Sequence, residues 1–248
     1  MKVSGLNMEE NILQLFPGDK FRFTCKSSLS CFNECCRDLN QFLYPYDILR
    51  LKNNLGISSG NFLGKYTVFH TGPETGLPVV SLKTDKDLEL KCPFVTPSGC
   101  KVYKDRPSSC RTYPLSRLLS RNRETGRLSE YFMLFKEPHC LGFDNGKERT
   151  ANEWIKDQGT EPYNEMNDMM MEIISLKNQK LPGELDMKSS YMFRMALYDL
   201  DAFRTYLFSD ENMINYIDNN DMNAAEQDDA ELLKIAFKWV KKEIFLST

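Results

Sequence analysis

All eight cysteines of this 248-residue chain lie between Cys25 and Cys140, and none follows. No other feature constrains the fold as tightly. Cysteine used as a small buried hydrophobe would be scattered over core positions along the whole length. Here Cys25, Cys31, Cys35, Cys36, Cys92, Cys100, Cys110 and Cys140 share one half. Thiols are gathered for disulfides in oxidising compartments and for metal or redox chemistry in reducing ones. The run Met1-Lys2-Val3-Ser4-Gly5-Leu6-Asn7-Met8-Glu9-Glu10 has no apolar core and carries early acids, unlike a secretory signal. Nor is there an apolar run long enough to span a bilayer. The expectation is a cytoplasmic chain, with no membrane partner, whose thiols bind metal ions.

Spacing narrows the chemistry. The first group is Cys25-x5-Cys31-x3-Cys35-Cys36; the second is Cys92-x7-Cys100-x9-Cys110, with Cys140 beyond Pro138-His139. The absence of any Cys-x2-Cys pair argues against a zinc ribbon and excludes a thioredoxin-type redox pair. A radical S-adenosylmethionine motif would need a cysteine where Asp38 stands. Side chains of adjacent residues diverge, so Cys35 and Cys36 either serve separate metals more easily than one ion, or one of them is a buried thiol. Eight thiols suit two four-coordinate sites, or one four-ligand cluster with further thiols beside it. Cys92-Pro93 resembles the Cys-Pro that closes bacterial ferredoxin ligand runs, which favours an iron–sulfur cluster of the 4Fe–4S type; zinc is the alternative.

Around the thiols, Arg106 and Arg111 bracket Cys110 and are expected to support a thiolate-rich cofactor or to bind an anionic substrate, the first being preferred, while Asp105 and Arg106 would also tie down the turn before Pro107. Tyr103 and Tyr113 are expected to wall the metal from water. Tyr44, Tyr46 and Asp47 are acid–base candidates by position, although a helix start accounts for Asp47 equally well. His139 could be a ligand or a hydrogen-bond donor to sulfur; His70 reads as a loop residue. No nucleophile–base arrangement stands out, and the catalytic residues of any reaction stay unassigned. Residues 1–150 hold 22 Lys and Arg against 16 Asp and Glu, and residues 151–248 hold 10 against 19. Bound thiolates would offset much of the first half's positive charge, a reading preferred over nucleic-acid binding.

The pattern predicts an α+β chain with a loop-rich cysteine domain at 1–149 and a mainly helical region at 150–248. An arm runs to about Arg22, with strand-like alternation at Phe21–Cys25. A helix is expected from Pro45 to Gly56, and a second capped by Ser58 or Ser59. Strands are expected at Leu77–Leu82 and Leu88–Lys91, joined by a polar turn at Thr84–Asp87 with the second leading into Cys92, and at Tyr131–Phe135. The Pro-, Gly- and Ser-rich stretch from Cys92 to Cys110 reads as loop. Helical spacing covers Asn152–Ile155, Tyr163–Leu176, Met187–Phe208 and Ala230–Phe245, with a break at Leu181-Pro182-Gly183. The Met166–Met171 stretch reads as core filling.

The segments Phe23-Thr24-Cys25, Cys31-Phe32-Asn33-Glu34-Cys35-Cys36, Cys92-Pro93-Phe94 and Gly99-Cys100-Lys101-Val102-Tyr103-Lys104-Asp105-Arg106-Pro107-Ser108-Ser109-Cys110-Arg111-Thr112-Tyr113-Pro114 resemble the YkgJ-type cysteine-cluster family. The likeness covers about residues 21–146, and the Arg-Pro-x-x-Cys-Arg-x-Tyr-Pro part is specific. At the front, spacings of five and three replace the two and two of the family's CxxCxxCC signature. The resemblance implies zinc or iron chelation by the cysteines. One branch sharing the cluster, the flagellin lysine N-methylases, implies an alternative: an enzyme using S-adenosylmethionine on a protein lysine substrate. No glycine-rich nucleotide loop follows a strand here. A third alternative is a structural zinc protein whose helical half recruits a protein partner.

Overall fold

The computed structural model describes residues 11–246 apart from 39, 85–89, 122–124, 126, 145 and 210–218. Along the first part run β1 (Ile12–Leu15), β2 (Lys20–Arg22), β3 (Phe42–Leu43), α1 (Pro45–Leu55), α2 (Ser59–Tyr66), β4 (Thr67–Thr71) and β5 (Pro78–Leu82). Then come β6 (Val95–Thr96), β7 (Gly99–Cys100), α3 (Ser108–Thr112), β8 (Leu115–Arg121), β9 (Leu128–Phe135) and β10 (Glu148–Thr150). The rest is helical: α4 (Ala151–Asp157), α5 (Glu161–Lys180), α6 (Met187–Leu197), α7 (Leu200–Ser209), α8 (Asn219–Gln227) and α9 (Asp229–Val240). The sheets are small and antiparallel, ordered β1-β9-β8, β10-β2, β3-β5-β4 and β6-β7. The fold is α+β.

Local chemistry explains the best-defined helices. Pro45 opens α1 with a preset φ, and the Asp47 carboxylate accepts from the Tyr44 N–H at 2.9 Å. Gly56 at φ 63° closes it, returning its N–H to the Lys52 and Asn53 carbonyls. Ser58 caps α2 by accepting from the Asn61 N–H. Within α5, Met166 and Met170 are buried and Met171 is exposed, so this stretch fills core on one face.

Several expectations change. The arm is tied into two sheets, as β1 lies against β9 and β2 against β10. Strand β5 is central, but it pairs with β3 and β4. Of the turn expected at 84–87, residues 85–87 lie outside the described residues, as do Leu88 and Glu89 of the strand expected at 88–91; Lys91 makes only an isolated bridge with Arg37, and Cys92 leaves from no strand. His70 lies on β4, opposite Val79, not in a loop. The stretch 92–110 contains the β6-β7 hairpin and α3.

The pattern over 187–208 is two helices rather than one. At the break, the Ser59 hydroxyl donates to Asp199 at 2.6 Å and accepts from the Asp201 N–H at 3.0 Å. Asp201 returns the bond by accepting from the Ser59 N–H at 2.6 Å. The N-termini of α2 and α7 thus satisfy each other's free donors, which a continuous helix could not do.

Two apolar clusters form. The larger unites α1, α2 and the β3-β5-β4 sheet with the C-terminal helices, through residues such as Leu51, Phe62, Val80, Ile173, Phe203 and Phe237. It draws on both sides of residue 150. The smaller joins Phe21, Phe23, Leu115, Phe132, Leu134 and Trp154, with Tyr113, Cys140 and Phe143 packed against it. The cysteine-bearing loops run beside both: Cys140 touches the smaller cluster, Cys92 and Cys100 the larger.

Candidate metal centre

The chain between Cys25 and Cys36 is a succession of tight turns. Leu29, Phe32, Glu34 and Cys36 each return their N–H to the carbonyl three residues back, at 2.9–3.1 Å. Glu34–Cys36 make one turn of 3-10 helix, entered through Asn33 at φ 72°. Three residues per turn set neighbouring side chains about 120° apart. Cys35 and Cys36 therefore start together and point to different surroundings.

Those surroundings are two sets of thiols. Cys25, Cys31, Cys35 and Cys140 line one open pocket, with Phe23, Leu29, Tyr113, His139 and Gly142 completing its wall. Burial raises the Cys25 thiol, and the charges of Cys35, Cys140 and Cys31 raise it further. Cys36 feels Cys35 first and then Cys92 and Cys110; Cys110 feels Cys92, Cys100 and, across the junction, Cys35; and Cys92 feels Cys100. At the junction the Cys36 thiol donates to Cys35, lowering Cys35 to about 7 and raising Cys36. Cys110 reaches the surface, yet crowding around its sulfur and the nearby negative charges push it up to about 12.

Hydrogen-bond donors reach both sets. The Leu141 N–H donates to the Cys31 sulfur at 3.3 Å. Burial raises Cys92, with the Phe94 and Val95 N–H groups pulling the other way; the Val102 N–H does the same at Cys100. Such bonds favour the thiolate over the thiol. Among the described residues, no three Cys, His, Asp or Glu side chains are yet converged to hold a single ion. The two sets are gatherings of sulfur rather than finished coordination spheres.

Residues 24–141, which include every cysteine, match the model of the CxxCxxCC family, described as a "Putative zinc- or iron-chelating domain". The chain carries a CxxCxxCC domain. No curated protein and no solved structure matches the chain. The match supports metal binding by the cysteine region, and its all-thiol donor set is the chemistry of zinc–thiolate and iron–sulfur sites. No helix among the described residues is long and apolar enough to cross a membrane.

Around the CxxCxxCC thiols the other expected residues take different places. Arg106 stacks on Tyr103 at 4.0 Å and donates to Gln158 at 2.6 Å, while its charge reaches Cys100 and Cys110. Arg111 lies over the Tyr163 ring and donates to the main-chain oxygens of Gln158 and Lys104. Asp105 is held by Arg50 and Asn54. Tyr103 is 63% exposed and walls nothing from water. Tyr113 does line the pocket, where its hydroxyl donates to Glu137 at 3.0 Å. His139 shares that wall and stands 3.3 Å from the same carboxylate.

Asp47 is a positioning group. Fully buried, it accepts from the Tyr44 N–H and from the N–H of Ser108, which opens the short helix bearing Cys110. Burial holds its carboxyl up at about 6. Sequence reasoning missed Gln41, whose amide donates to Ser109 at 2.6 Å and whose oxygen accepts from the Cys110 thiol at 3.5 Å. It also missed Glu137. Neither sits at a motif spacing, and both meet their partners only after folding.

Proposed function

We propose that the chain holds two four-thiolate metal centres, one on Cys25, Cys31, Cys35 and Cys140 and the other on Cys36, Cys92, Cys100 and Cys110. The observation that carries this reading is the division of the adjacent pair: Cys35 lines the pocket, while Cys36, which does not, accepts from the Cys92 N–H at 2.9 Å through its carbonyl and has its thiol within electrostatic reach of Cys92 and Cys110. The pocket set is read as a 4Fe–4S site. Its four thiols line one pocket, an all-sulfur donor set that suits an iron–sulfur cluster, whereas zinc requires four sulfurs about 2.3 Å from one point. Arg106 lies within electrostatic reach of the second set and would offset its thiolate charge. Arg111 supports the same region through the Gln158 and Lys104 carbonyls. Thiolate centres of this kind suit a reducing, cytosolic setting. Metal handling or electron transfer are the activities such centres serve.

Anaerobic purification with iron, zinc and acid-labile sulfide analysis tests the reading. Iron with matching sulfide and a brown colour is the expected result. Colourless protein with stoichiometric zinc would remove the iron–sulfur assignment. Cys35→Ser and Cys36→Ser should then deplete different centres; loss of the same centre by both would refute the division into two.

A further inference from the structure

The turn that separates Cys35 from Cys36 is also the piece of chain the two thiol sets share. Cys31 and Cys35 lie in it on the pocket side, Cys36 on the other. It is clamped to the loop carrying Cys92 and Cys100 at three points. The Asn33 side-chain amide donates to the Thr96 carbonyl at 2.9 Å. The Cys92 N–H donates to the Cys36 carbonyl at 2.9 Å, and the Asp38 N–H to the Leu90 carbonyl at 3.0 Å. Phe32 packs against Gly99, where an added Cβ would come within 3.4 Å of its ring. Asn33 suits its post for two reasons: it tolerates φ 72°, and its amide reaches across to the β6-β7 hairpin.

Resting on the two-centre reading, we infer that the Cys31–Cys36 turn, clamped through Asn33 to the Val95–Cys100 hairpin, couples the centres so that they load and empty together. Asn33 is a positioning residue and not a ligand. The physical origin is conformational entropy. A centre built on either side must order this turn, and ordering costs free energy at every residue fixed. The first centre to form bears that cost, and the second finds its shared segment already in place. Positive cooperativity follows without any contact between the metals. The clamp extends the effect beyond the turn, since fixing Cys36 also fixes Cys92 through their main-chain bond.

The test uses the full-length protein purified anaerobically with its own metal, withdraws the metal with graded EDTA under anaerobic conditions, and follows protein-bound iron, zinc and acid-labile sulfide. In the wild type both centres should empty in one step. Asn33→Gly keeps positive φ accessible but lacks the amide donor, and Asn33→Asp keeps the turn preference but cannot donate. Each should split release into two steps with midpoints separated by about three- to tenfold, as expected for one lost hydrogen bond. Cys36→Ser should weaken metal retention by the Cys25 set by about tenfold, on the scale of ordering one or two residues. Far-UV circular dichroism should be unchanged in every variant, separating lost coupling from lost fold. Single-step release by both Asn33 variants, or independent release by the wild type, overturns the coupling. If the coupling falls but Cys35→Ser and Cys36→Ser each still remove a different centre, the two-centre reading stands. A single centre in the wild type overturns both.

Discussion

Asp47 shows how a single residue can serve two segments far apart in sequence. It begins as the third residue of α1, where an acid stabilises the free N–H groups, and this much follows from the run Tyr44-Pro45-Tyr46-Asp47. Its second bond, to the Ser108 N–H at 2.8 Å, joins the helix start to the segment that presents Cys110. No local pattern encodes that pairing, because the two residues meet only when the loops close. The buried carboxyl titrates at about 6 instead of roughly 3.9 for a free aspartate. Between those values the folded chain keeps a proton that the unfolded chain has lost. The stability contributed by this group is therefore full below about pH 4 and is lost as pH rises through about 6. Asp47→Asn should remove that slope. The unfolding free energy of the variant relative to wild type should rise by about 2–3 kcal/mol between pH 4 and 6.5 in denaturant titrations. A difference independent of pH would show that Asp47 ionises freely.

At the level of elements, the helical region is pinned to α1 and α2 by a polar network at the ends of helices. The Lys52 ammonium, buried on α1, donates to Asp201 at 3.2 Å and to Asp229 at 2.9 Å; Asp229 also receives Arg204. Lys52→Met should destabilise the fold by about 2 kcal/mol, below the usual cost of breaking a buried pair, because Arg204 still neutralises Asp229 and Asp201 is partly exposed. Ser59→Ala should cost about 1–2 kcal/mol, since its hydroxyl, carried on α2, accepts from the Asp201 N–H at the start of α7 and donates to Asp199. Its combination with Asp201→Ala should cost less than the sum of the two, because the groups share bonds. Chemical denaturation of the single and double variants checks each value. The sequence located a capping serine at the start of α2. It left unseen that the next serine, Ser59, meets Asp201, 142 residues away, and so ran α6 and α7 together. Helical periodicity continues through Tyr198 and Asp199; what ends the helix is a bond to a distant segment.

Over the whole molecule, the two tryptophans divide between the two apolar clusters, and each therefore reports on its own. Trp154 meets Phe21 and Phe23 edge to face in the cluster that Cys140 and Tyr113 pack against. Trp239 lies among Phe203 and Tyr206 in the helical core. Metal removal should shift the emission of Trp154 in a Trp239→Phe protein and leave that of Trp239 in a Trp154→Phe protein unchanged, with most helical circular dichroism retained. Equal shifts would show that the metal organises the entire fold. By itself the sequence determined that thiols concentrate in one half, that an adjacent pair diverges, and that the chain is α+β with helices to the C-terminal side. Those features depend on residue type, short-range geometry and periodicity, which are written locally. Only the tertiary structure decided that Cys35 lines a pocket that Cys36 does not, that Cys140 joins Cys25, Cys31 and Cys35 there, and that the larger core draws on segments either side of residue 150. Each of these depends on contacts between segments tens of residues apart. Turns, caps and clamps such as the Asn33 amide select those contacts once the chain is compact, and no spacing rule anticipates them.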